Sequence, residues 1–111
     1  MIGFGQAYNA QCWAECRRHA VAFLEEAKQR LADPKLAPLF DEALARYRIV
    51  SEQLGAVAKA FPFKVGDTAG MNERIRDAGR RAKAVEALTA ARDAEAAGLK
   101  ALGRIVDALG T

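Results

Sequence analysis

Apolar residues recur along this chain at steps of three and four through three long stretches, with charges of both signs between them. That period turns one side of a helix toward a core, and it predicts amphipathic helices over about 8–32, 36–61 and 77–109. In the first, Tyr8, Cys12, Cys16, Ala20, Phe23, Ala27 and Leu31 share a stripe, widened by Trp13 and Leu24. Arg17, Glu25, Lys28 and Gln29 fall toward water. Asp33-Pro34 ends this helix, because a residue before proline is pushed out of the α region. In the second, Leu36, Phe40, Ala43, Tyr47, Val50, Leu54, Val57 and Phe61 form a heptad seam, the strongest structural signal in the chain. Pro38 sits in its first turn, where proline costs no hydrogen bond, and Pro62 closes it.

Residues 62–71 read as the one long connection, punctuated by Pro62, Gly66, Asp67, Thr68 and Gly70. Phe63 and Val65 are expected to tuck against the end of the helices, and a short turn around Asn72 to Arg76 precedes the last helix. Asp77 is placed to act as N-cap or first-turn acid of that helix. Its apolar face is Ala78, Val85, Leu88, Leu99, Leu102, Val106 and Leu109; Gly98 and Gly103 weaken it locally or admit a close neighbour. The expected fold is all-α, a single domain over 1–111 built as an antiparallel up-down-up three-helix bundle. Many of the apolar residues are alanines, so the core is thin. Apolar surface then stays uncovered for a homodimer or a neighbouring domain to complete, with Trp13 as a natural interface anchor.

Charge narrows the function classes. The 17 basic and 14 acidic residues leave a net charge of +3, and the two signs alternate. The one basic run, Arg74, Arg76, Arg80, Arg81 and Lys83, is interrupted by Asp77 and has no aromatic platform, which argues against a nucleic-acid footprint. No run approaches the roughly 18 apolar residues of a membrane span. The first residues lack the basic and apolar blocks of a signal peptide, so a cytoplasmic location is expected.

Cys12, Cys16 and His19 form a C-x3-C-x2-H pattern on one side of the first helix. Two thiolates and an imidazole suit zinc or copper, yet a closed zinc shell usually draws on a C-x2-C knuckle and a second pair, both absent here. Ordinary core packing, with His19 at the helix edge, is the expectation, and no metal or cofactor is assigned. Arg92 and Glu95 stand where the last helix expects apolar side chains. They either pair with each other or with facing groups such as Tyr47, or they reach to water at an open rim. Cys12, Cys16, His19, Tyr47, Arg92 and Glu95 are therefore the candidate ligand-binding residues.

Asn9-Ala10-Gln11-Cys12-Trp13 through Leu24, the seam ending in Phe61-Pro62-Phe63, and the alanine- and arginine-rich last helix carry a resemblance. Together they resemble the C-terminal helical region of bacterial proteins related to the butirosin biosynthesis H protein, in which a papain-like domain comes first. The resemblance implies acyl-transfer or amide chemistry on that preceding domain, whose catalytic cysteine and histidine have no counterpart here. Cys12 and Cys16 do not take that role. With no nucleophile–base set, paired carboxylates or phosphate loop, a non-catalytic structural or interaction module is expected, an appendage of an acyltransferase- or peptidase-like protein. The alternative is a bundle binding a small molecule or metal on the Cys12/Cys16/His19 face.

Overall fold

The computed structural model describes residues 2–110, the side chain of Ile2 excepted; Met1 and Thr111 of the expected domain lie outside the described residues. Four helices follow one another: α1 (Ile2–Leu31), α2 (Ala37–Ala60), α3 (Thr68–Ile75) and α4 (Ala78–Leu109). The expectation of a three-helix bundle is therefore corrected. Part of the segment read as connection and turn is α3, which Asp67 caps by accepting a hydrogen bond from Gly70 N (3.2 Å). Met71 anchors α3, buried against the start of α1.

That contact also explains why α1 begins six residues before the periodicity suggests. Gly3 lies so close to α3 that a Cβ there would meet the Met71 carbonyl carbon and oxygen. The side chain of Asn72 accepts the Gly3 N–H at 3.0 Å, satisfying one of the donors a first helical turn leaves open. At its other end α1 stops with Ala32 in the left-handed region (φ 47°) and Asp33 turning the chain. The Asp33 carbonyl accepts from Leu36 and Ala37, and its carboxylate from Lys35 N.

The seam of α2 is realised in full: all eight residues from Leu36 to Phe61 are buried. The core is strung along this one helix as three clusters. Leu24, Phe40, Tyr47 and Ile105 dominate one end, Val50 and Leu54 with Ala91 and Ala94 the middle, and Val57 and Phe61 with Ala10, Ala84 and Ala87 the other end. α2 thus has α1 on one flank and α4 on the other, each antiparallel to it. α1 and α4 scarcely approach each other, so the long helices lie side by side as an open layer. The layer spans 53 × 24 × 16 Å, and its radius of gyration is 16.7 Å, against about 13 Å for a compact domain near this size.

Both flanking helices pack mainly through stripes beside the expected ones, although Ala20, Leu24 and Ala27 of α1 and Leu102 of α4 do pack on the core. In α1 the packed stripe is Gly3, Ala7, Ala10, Ala14, Arg17, Val21, Leu24 and Lys28, while Phe23, Leu31 and Cys16 face water. In α4 it is Ala84, Ala87, Ala91, Ala94, Gly98, Ala101 and Ile105. The stripe of large residues expected to face the core is open instead: Val85 is 63% exposed, Leu99 60% and Val106 65%. Small side chains win these positions because they let the helix axes come closer to α2. Gly98 shows it, for a Cβ there would stand 2.8 Å from the Tyr47 ring; Gly103 has no such neighbour. Phe63 does tuck in, edge-on to Phe4 and Tyr8 at 5.3 and 5.4 Å, whereas Val65 is exposed. The basic run serves the helix ends: Arg80 donates to the Ala60 carbonyl (2.7 Å), Arg81 to that of Ile75 (2.8 Å), and Asp77 caps α4.

Candidate functional site

Because α1 and α4 stand apart on either side of α2, the layer has a groove along one face. Gln6, Asn9, Ala10 and Trp13 of α1 form one wall, and Val50, Leu54 and Val57 of α2 the floor. Leu88, Ala91, Arg92, Glu95, Ala96 and Leu99 of α4 form the other wall, and the groove encloses about 510 Å³. Its surface is mainly apolar, which suits an apolar side-chain ridge better than a polar metabolite.

Among the described residues one polar bridge spans α1 to α4. Arg17 Nε donates to Glu95 Oε1 at 2.6 Å, with both side chains largely covered. The guanidinium of Arg17 also lies 4.7 Å from the centre of the Trp13 ring, a cation–π contact. Tyr47 rises beneath them from α2. Burial raises its hydroxyl pKa above the ordinary tyrosine value; the Glu95 carboxylate pushes the same way and Arg17 opposes it. Trp13 itself is 53% exposed beside the groove.

The six candidate ligand-binding residues therefore divide. Glu95 lines the groove and Tyr47 does not, but Tyr47 lies within electrostatic reach of Glu95 and of its partner Arg17, which the pattern had placed toward water. Arg92 lies on the same wall but turns to its neighbour Asp93 (Nη2 to Oδ1, 3.1 Å) and is well exposed. Cys12, Cys16 and His19 are not among the groove-lining residues. Cys12 is half-buried, and Cys16 and His19 are exposed, so the cluster is not the core packing that was expected. The neighbouring Cys12 thiol raises the pKa of Tyr8 above the ordinary tyrosine value. Among the described residues no group of three or more His, Cys, Asp or Glu side chains is placed to hold a metal ion.

Arg17 carried a sequence signal that went unread. It occupies the heptad register set by Ala10, Ala14, Val21 and Leu24, so a charge there had to meet another helix. Lys28, the next charge in that register, does the same with Asp41 of α2 at 2.6 Å. No helix among the described residues is long and apolar enough to cross a membrane. Comparison with protein-family models, curated proteins and solved structures finds no match for this chain.

Proposed function

We propose that this chain is a non-catalytic helix-docking module, which receives an apolar helix of a protein partner along the groove between α1 and α4. One observation carries the reading. Positions 85, 88, 92, 95, 99, 102, 106 and 109 of α4 keep strict heptad spacing, six of the eight are Val or Leu, and five of those six are exposed. Heptad spacing held this long is the pattern of a helix that meets another helix; Leu102 packs partly on the core and Glu95 pairs with Arg17, while the five exposed Val and Leu residues face outward. The groove, with Trp13 on its far wall, lies alongside the middle of the seam.

The same face would serve a helical appendage resting on an acyltransferase- or peptidase-like domain, as the resemblance to the butirosin H-related proteins implies. A metal-binding reading draws no support from the placement of Cys12, Cys16 and His19.

Leu99→Asp puts a charge near the centre of the seam at a side chain that is 60% exposed. Sedimentation of the wild type at micromolar concentration is expected to give a mass above the 12.0 kDa chain, and L99D to abolish that association with its helical circular dichroism intact. A wild-type monomer at about 100 µM, a concentration that populates even weak complexes, would exclude a second copy as the docked partner. An assembly indifferent to L99D would overturn the reading.

A further inference from the structure

We infer that the helix taken up by this face is α4 of a second copy, antiparallel to the first, about a two-fold axis between Asp93 and Ala94. The inference rests on the docking function just proposed and names its partner. The evidence is a symmetry in the part of the seam from Val85 to Leu102; beyond it Val106 and Leu109 face the partner's Arg81 and the partner's Ala78. α4 runs Ala78–Leu109, so its midpoint falls between Asp93 and Ala94. An antiparallel copy centred there sets Val85 against the partner's Leu102, Leu88 against the partner's Leu99, and Arg92 against the partner's Glu95. The two-fold axis repeats each pairing. It is also the a-against-d′ layering that antiparallel helices adopt, and the two helices overlap end to end.

Charge selects this register over its neighbours. Sliding one copy by a heptad sets Arg92 against an apolar side chain of the partner, leaving a desolvated charge without a partner. A parallel pair would set Arg92 against Arg92 and Glu95 against Glu95. Only the centred antiparallel register joins opposite charges at both sites. Glu95 can accept the second guanidinium, because Arg17 occupies one of its oxygens and a carboxylate offers several acceptor positions. Arg92 has only an exposed contact with its sequence neighbour to give up. Trp13, beside the groove, would be covered on association.

The test is charge complementation between two variants of the whole chain. Arg92→Glu alone sets glutamates against glutamates and is expected to weaken self-association at least about tenfold. Glu95→Arg alone sets arginines against arginines and is expected to do the same. An equimolar mixture of the two restores both opposite-charge pairs, so its association should return to within about threefold of wild type. Because E95R also faces Arg17, cross-linking supplies a second measurement. With Cys12 and Cys16 replaced by serine, L88C and L99C chains should oxidise to a mixed dimer in preference to either homodimer. Association that R92E leaves unchanged or strengthens, or L88C linking to itself, would overturn the antiparallel register. If that association is still lost in L99D, the docking function survives and only this geometry fails.

Discussion

Arg17 of α1 and Glu95 of α4 meet at 2.6 Å although their helices barely touch elsewhere, so this one ion pair ties the two edges of an open layer together. A double-mutant cycle on Arg17→Ala and Glu95→Ala is expected to give a coupling of about 1 kcal/mol, the upper end for pairs that keep some solvent contact. Arg17→Ala should also change Trp13 fluorescence, since the guanidinium beside the ring is removed. A coupling near zero, with fluorescence unaltered, would mean that the bridge does not persist in solution.

Gly98 and Gly103 of α4 should respond in opposite directions. Gly98→Ala drives a methyl into the Tyr47 ring at 2.8 Å and is expected to cost about 1–3 kcal/mol in a denaturant melt. Gly103→Ala meets nothing within 4 Å and should stabilise the protein by up to about 1 kcal/mol through helix propensity. Equal effects would mean that α4 does not approach α2 through its small residues.

Tyr47 makes stability depend on alkaline pH. Its folded-state pKa is raised, first by burial and then by Glu95. The folded state therefore holds the phenolic proton more tightly than the unfolded chain, whose tyrosine titrates near the ordinary value of about 10. The corresponding stability is fully present below pH about 10 and is lost as pH rises through the folded pKa. Comparison of wild type with Tyr47→Phe should show the wild type losing more stability as pH rises above about 10. Parallel pH profiles would remove Tyr47 from that linkage.

The turn after α1 offers a stabilising change. Ala32 adopts φ 47°, a conformation that costs a residue with a Cβ and suits glycine at the end of a helix. Ala32→Gly is expected to raise stability by up to about 1 kcal/mol. An unchanged or lower melting midpoint would show that the left-handed turn is not held in solution.

The seam of α2, the closing prolines and the Asp77 cap were legible in the residues alone. The reason is local: large apolar side chains on one stripe, with polar ones elsewhere, leave a helix a single face to bury. That Glu95 pairs with a group on a facing helix was legible for a related reason, since a charge within an apolar stripe does not sit there without a partner. Tertiary structure decided the rest. α1 and α4 each carry two adjacent stripes, one of large residues and one of small. Choosing between them depends on how closely the axes approach α2, which is a property of the pair and not of either helix. Size favoured the stripe from Val85 to Leu109, but proximity favoured Ala84 to Ile105, because small side chains bring more backbone within van der Waals reach. That choice moved Cys16 and Phe23 outward, drew Arg17 inward to Glu95, and left the heptad seam of α4 open on the surface.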